Sequence, residues 1–205
     1  MRRVQVFLIR HGETDWNLHR RFQGQTDIPL NKTGEAQALE LGRKLLHLKP
    51  EIFLSSDLQR ALRTAELANS GLGLEIHRHP GLREGNLGVM EGRFRDDVIA
   101  SLGPDEWAKW SSGDPAHLDF ALPGGETKRQ VLERSIACIK EFIMKHHLVT
   151  RVAVCSHGGV VSRLASHAMA VPTANVSPLS LKNCVIHEVE YEFNVDRWSY
   201  VRQID

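Results

Sequence analysis

Two imidazoles and two guanidiniums stand in this sequence where apolar runs break off. The runs are Leu8-Ile9-Arg10-His11-Gly12, Leu54-Ser55-Ser56-Asp57-Leu58-Gln59-Arg60 and Val154-Cys155-Ser156-His157-Gly158-Gly159. Each reads as a short buried strand of a parallel sheet that ends in small polar residues and a cation. In open α/β sheets, ligands bind in the crevice outside the carboxyl ends of the strands. Three such ends would deliver Arg10, His11, Arg60 and His157 to one rim. Arginine forks grip phosphate oxygens in pairs, and an imidazole can attack phosphorus through a neutral ring nitrogen. The chemistry these residues suit is phosphoryl transfer. A solvated strand terminus would explain any one of the runs, but it does not explain the repetition.

A leaving alkoxide needs a proton, and a water attacking a phosphohistidine must lose one, so a carboxyl group should stand nearby. Glu84 is a candidate, in the glycine-rich loop Leu82–Gly92 after a short strand. Glu13 and Glu91 compete with it, and the local sequence does not separate the three. A backbone bond near Gly12 is expected to fix the tautomer of His11. His157, if protonated beside an anion, would add a third cation, and Asn17 could donate an amide hydrogen.

Several elements must position these groups. Strands are expected at Val4–Ile9, Ile52–Leu54, Leu74–His77 and Val152–Cys155, with an antiparallel edge hairpin from Asn183–Tyr191 and Trp198–Ile204. Glu13–Leu30 reads as loop. A helix opening at Thr33 with a capping hydroxyl carries the stripe Ala38, Leu41, Leu45, Leu46 and Leu48 until Pro50. Ser56-Asp57-Leu58-Gln59 looks like a capping box for a helix to about Ala68, with Arg60 in its first turn. A cation there opposes the helix dipole unless an anion binds too. Thr127-Lys128-Arg129-Gln130 is a second capping box, for a helix to about His146, and another helix follows Gly159. Between them, residues 86–125 form an insertion over the site, with Trp107 and Trp110 on short helical pieces. The fold predicted is an α/β three-layer sandwich, a mostly parallel sheet with an antiparallel edge, in one domain spanning residues 1–205.

Arg-His-Gly at the first strand end, Ser-His-Gly at a later one and Leu-Arg-Glu between them resemble the histidine phosphatase superfamily, which includes phosphoglycerate mutases and many phosphomonoesterases. The likeness runs from Val6 to about Leu164. It implies a phosphohistidine on His11, with Arg10, Asn17, Arg60 and His157 around the phosphate and Glu84 as general acid. Gln23 and Gly24 match the family's substrate-reaching loop, and Asn86, Gly158 and Gly159 are weaker rim candidates. Glu84 is followed by Gly85-Asn86-Leu87-Gly88, similar to the phosphatase branch. A mutase of the family would carry Arg-His-Tyr-Gly there and would usually be longer. The expected substrate is a small phosphate monoester, with no cofactor or metal.

Composition narrows the rest. The 26 basic and 25 acidic residues leave a net charge of +1, so no global field attracts nucleic acid or an anionic membrane. No apolar run approaches the roughly 18 residues of a membrane span, and the amino terminus lacks a targeting core, which predicts a cytoplasmic protein. Cys138, Cys155 and Cys184 form no Cys-x-x-Cys, so they read as core residues rather than disulfides or zinc ligands.

The 11 histidines raise a metal-dependent hydrolase, but no His-Glu-x-x-His or Cys/His cluster supports it. His77, His79, His117, His146, His147, His167 and His187 match no motif. A cysteine phosphatase fails because no arginine closes a tight loop after Cys155 before Arg163. A serine hydrolase fails because Val154 stands where the elbow's first glycine should be. A non-catalytic phosphate-binding protein on the same fold is the alternative from another class. Oligomeric state has no signal in the sequence.

Overall fold

The computed structural model describes residues 2–170 and 180–205. Six strands form one sheet: β1 (Arg3–Arg10), β2 (Ile52–Ser55), β3 (Ile76–Arg78), β4 (Arg151–Ser156), β5 (Ile186–Glu192) and β6 (Arg197–Ile204). Among the described residues seven α-helices accompany them: α1 (Asp15–Leu18), α2 (Lys32–Leu48), α3 (Gln59–Asn69), α4 (Arg95–Leu102), α5 (Pro104–Ser111), α6 (Lys128–Lys145) and α7 (Gly158–Ala168). The spatial order is β3-β2-β4-β1-β5-β6. β1, β2, β3 and β4 run parallel, whereas β5 pairs antiparallel with both β1 and β6, as the edge-hairpin pattern predicts.

Register decides where the chemistry falls. Arg10 lies opposite Ser156 and Ser55 opposite Cys155, so β1, β2 and β4 stop level with one another. His11 N–H then donates to Ser156 O at 3.0 Å and Ser56 N–H to Cys155 O at 2.9 Å. These bonds carry the ladder one residue past the strand ends and hold the two exits side by side.

Side chains alternate across a strand, and β1 uses both faces. Val4, Val6 and Leu8 join Ile139 and Ile143 of α6 and Val161 and Leu164 of α7 in one core. Phe7 and Ile9 join Leu41 and Leu45 of α2 and Ala61 and Ala65 of α3 in the other. The result is a helical layer on each side of the sheet. A third cluster, Met90, Val98 and Leu122 with Phe22, Trp107 and Trp110 against it, gives the insertion a core of its own.

Local details depart from the sequence expectations. The segment expected to be loop contains α1, with a Thr14/Asn17 capping box; four residues are too few to show a periodic stripe. Asn31, not Thr33, caps α2, its Oδ1 accepting Gly34 N–H at 2.8 Å. Leu46 is 48% exposed and outside the buried stripe. The third strand begins at Ile76 rather than Leu74. Ser56 does not form a capping box: Leu58 is the N-cap, and Gln59 N–H donates instead to Asp27 Oδ1 at 2.8 Å, across the loop. The Thr127/Gln130 box at the start of α6 forms as expected.

Candidate active site

His11 is 3% exposed, and its Nδ1 lies 2.7 Å from Gly12 O. A carbonyl only accepts, so Nδ1 carries the proton and Nε2 keeps a lone pair. Burial, then Arg60 and then Arg10, hold the imidazole well below its usual pKa, against a smaller opposing effect of the Gly12 bond. His11 is therefore a neutral imidazole with its proton on Nδ1, the tautomer an attack through Nε2 would need. Three bonds fix the backbone around it: Gly12 N–H to Thr64 Oγ1 at 2.9 Å, Thr64 Oγ1–H to Arg60 O at 2.7 Å, and Asn183 Nδ2–H to His11 O at 2.8 Å. A Cβ on Gly12 would meet Gly34 O at 2.5 Å, so this strand exit passes the start of α2 only as glycine.

Arg60 is fully buried, donating Nη1–H to Thr26 O and Nη2–H to Gly24 O at 2.9 and 2.7 Å. Burial pushes its pKa down to about 10, which leaves it charged near neutrality, and its Nε has no protein partner. Arg10 donates to Leu181 O and also has a buried, unpartnered Nε. Both guanidiniums line the cavity that holds His11.

The rings of His11 and His157 stand edge to face, centroids 5.2 Å apart. Burial, Arg60, His11 and Arg10 keep His157 well below its usual pKa, so the protein's own groups make it neutral rather than a third cation. Its Nε2 lies 2.9 Å from Ser56 Oγ, which already accepts Leu58 N–H at 3.3 Å. If the Ser56 hydroxyl donates to Nε2, the His157 proton sits on Nδ1, a buried nitrogen without a partner, from which it could be donated to an anion's oxygen.

Geometry separates the three candidate acids. Glu84 lines the cavity, its Oε1 accepting Gly85 N–H and its Oε2 accepting Gly159 N–H, both at 2.9 Å. Arg134 holds the loop from behind, donating to the carbonyls of Gly81, Arg83 and Glu84 and pairing with both oxygens of Glu126. Glu91 instead accepts from the Gln25, Thr26 and Leu87 amides and the Thr26 hydroxyl, clamping the loop that carries Gly24. Glu13 accepts from Asn31 Nδ2 and lies outside the cavity lining.

The cavity is about 260 Å³ and also takes Asn17, Gln23, Gly24, Gly158 and Gly159 into its wall. Asn17 uses Oδ1 to cap α1. Asn86 departs from expectation: it is not in the lining, because its Oδ1 accepts Gly88 N–H at 2.8 Å to close its own turn. Sequence reasoning missed Arg21, Phe22, Glu126, Lys128 and Arg163 as lining residues, whereas Trp110, expected in the insertion over the site, is in the wall.

The unassigned histidines lie outside the cavity lining. His79 Nδ1 accepts Gly81 N–H, His187 bonds Tyr200 and Ser180, and His77 packs on Phe142 and His146. Among the described residues, no group of three or more His, Cys, Asp or Glu could hold a metal ion. The cysteines are free and buried, and burial raises the Cys155 thiol well above its usual pKa, which makes it a poor nucleophile. No helix among the described residues is long and apolar enough to cross a membrane.

Fold and site together define an α/β protein that can receive a compact anion at its strand ends, beside a neutral imidazole. The chain belongs to the histidine phosphatase superfamily (branch 1), whose profile matches residues 6–204. It is 35% identical over 190 residues to the probable phosphoglycerate mutase GpmB of Cronobacter sakazakii, covering 92% of this chain and 86% of the relative. Mycobacterial glucosyl-3-phosphoglycerate phosphatase, solved with VO3, superposes with a TM-score of 0.82 at 28% identity, covering 98% of each chain. Phosphoserine phosphatase of Entamoeba histolytica, solved with 3-phosphoglyceric acid, gives 0.81 at 26% identity, covering 98% of this chain and 97% of that one.

Proposed function

We propose that this protein is a phosphomonoesterase working through a phosphohistidine on His11. The observation that carries the proposal is the His11 ring: buried, neutral, with Nδ1–H on Gly12 O and Arg10 and Arg60 in the same cavity wall. In the first step Nε2 attacks phosphorus, the P–O ester bond breaks, and Glu84 gives its proton to the leaving oxygen. Arg10, Arg60 and the Nδ1–H of His157 neutralise the oxygens of the transferring group. In the second step water attacks the phosphohistidine, Glu84 takes its proton, the P–N bond breaks, and inorganic phosphate leaves with His11 neutral again. Asn17, Gln23, Gly24, Gly158 and Gly159 shape the wall, and the cycle needs no cofactor.

Trapping during turnover should give an acid-labile, base-stable phosphoenzyme on His11. Label on Cys155 or Ser156, or full turnover by His11→Ala, overturns the mechanism. A second reading, phosphoryl transfer between hydroxyls of phosphoglycerate, draws on the 35% identity to a probable phosphoglycerate mutase. Isomerisation of phosphoglycerate, with and without bisphosphoglycerate, measured beside phosphate release from a monoester panel, decides between the two.

A further inference from the structure

Arg60 is held in an uncommon way for a buried cation. Among the described residues it forms no ion pair, and its partners are two loop carbonyls, Thr26 O on Nη1–H and Gly24 O on Nη2–H. Buried charges are ordinarily paired. Two fixed acceptors set the plane and direction of the guanidinium and leave the buried Nε–H without a protein partner. What fixes those carbonyls therefore decides where Arg60 points.

Glu91 fixes them. Its Oε1 accepts Gln25 N–H at 2.9 Å and Leu87 N–H at 3.0 Å, and its Oε2 accepts Thr26 N–H at 3.0 Å and the Thr26 hydroxyl at 2.8 Å. Gln25 N–H and Gly24 O belong to one peptide unit, which is planar and trans, so the two groups point in opposite directions. A continuous chain results, from carboxylate to Gln25 N–H, through the peptide to Gly24 O, and on to Arg60 Nη2–H. Linked hydrogen bonds polarise one another, so an amide whose N–H meets a carboxylate offers a stronger carbonyl. Thr26, pinned at both its N–H and its hydroxyl, supplies the second acceptor. The carboxylate is pressed so closely on this loop that a Cβ on Gly24, at φ +53°, would overlap its Oε1.

Glu91 does not line the cavity, so it is placed to act through other groups. Burial pulls the Arg60 pKa down, and Glu84, Asp27 and then Glu91 push it back up, so the charge of Glu91 reaches a guanidinium with which it forms no ion pair. The loop has other anchors: Gln25 Nε2–H donates to Glu84 O at 3.1 Å, and Gln59 donates to Asp27 through two bonds. Weakening Glu91 should thus loosen the two carbonyls without releasing the loop.

We infer that Glu91 is a positioning residue, whose carboxylate acts through the Gly24–Gln25 peptide and Thr26 to aim the Arg60 guanidinium at the anion. This rests on the reading that Arg60 grips the phosphoryl group. The test is calorimetric binding of inorganic phosphate to wild type, Glu91→Gln, Arg60→Lys and the double variant, with Tm measured on each. Glu91→Gln keeps the size but offers one oxygen to four donors, and it should weaken phosphate binding roughly tenfold, the loss of one charged hydrogen bond. In the Arg60→Lys background the same substitution should change affinity by no more than about twofold, because the group it aims is gone. Glu91→Asp, which keeps the charge but is too short to reach both amides, should behave like Glu91→Gln and serves if the latter does not fold.

A tenfold loss that persists in Arg60→Lys would show that Glu91 acts on something else and overturns the inference. So does a lowered Tm with wild-type phosphate affinity, which would make Glu91 a support for the fold alone. If wild type binds no phosphate, the reading of Arg60 as a phosphate grip fails, and the Arg60 Nε–H signal in NMR, assigned by its absence from Arg60→Lys, still decides the positioning. It should exchange faster with water in Glu91→Gln; an unchanged signal refutes the aim.

Discussion

Replacing Glu84 by glutamine keeps the side chain's size and removes its transferable proton. The structure says what else changes. Both carboxyl oxygens accept a backbone N–H, from Gly85 and Gly159 at 2.9 Å each, whereas an amide offers only one oxygen. One of those donors must face an NH2 group, at a cost of about 1 to 3 kcal/mol. For a chain of this length each 1 kcal/mol lowers Tm by about 2 to 4 °C. Loss of acid–base help is larger, about 10² to 10⁴-fold in rate. The two effects separate by leaving group. Ethyl phosphate needs its leaving oxygen protonated, so Glu84→Gln should lose the full factor. A nitrophenyl ester departs as a stable phenolate, so its phosphorylation step should be far less affected. Hydrolysis of the phosphohistidine still lacks a base, so rapid mixing should show a burst of nitrophenolate followed by slow turnover. Equal losses on both esters with no burst would show that Glu84 carries no proton, and that the loss comes from the displaced Gly159 amide.

Arg60→Lys should lose at least tenfold in kcat/KM, because an ammonium cannot span the Gly24 and Thr26 carbonyls and also fork a phosphate; activity within threefold of wild type contradicts the role given to Arg60. Gly12→Ala should lower both Tm and turnover, since the added methyl would sit 2.5 Å from Gly34 O; unchanged values would mean that the backbone there yields freely. His11 and His157 have folded pKa values below the ordinary 6.5. Between those values and 6.5 the unfolded chain binds more protons, so stability is full above about 6.5 and falls as pH drops below it. Tm measured from pH 7.5 to 5.5 should decline, and less steeply in His157→Asn; a flat profile refutes the assignment. The ring nitrogens of His11 should not titrate by NMR between pH 6 and 8.

The rim of the site was legible because an apolar run that ends in Arg-His or Ser-His states both where a strand stops and what stands there. Arg60 showed as a cation in conflict with a helix start, and the structure resolves that conflict with two loop carbonyls. What stayed hidden depends on distant contacts. Asp27 accepts the first N–H of α3 from across a loop, and Glu91 ties Gln25 and Thr26 down, pairings that no local pattern carries. Lys128 read only as part of a capping box. Arg163 had one usable signal: it stands four residues after Gly159 on α7, on the helical face where that glycine meets the cavity. Asn86 was misplaced because residues before a glycine in a tight loop often bond their own backbone, as this one does.

The sheet also divides the work. Arg60, which would face the phosphate, and Thr64, which holds the backbone beside His11, lie on α3 in one helical layer, whereas Lys128 and Arg163 of the cavity wall belong to α6 and α7 in the other. Between the layers stand β1 and β4, whose paired ends carry the two imidazoles. On the proposed phosphomonoesterase reading, substitutions in α6, α7 and the insertion would change the surroundings of the alcohol and leave the strand ends that carry the two imidazoles in place. A lineage could change its substrate from one side of the sheet and keep its chemistry on the other.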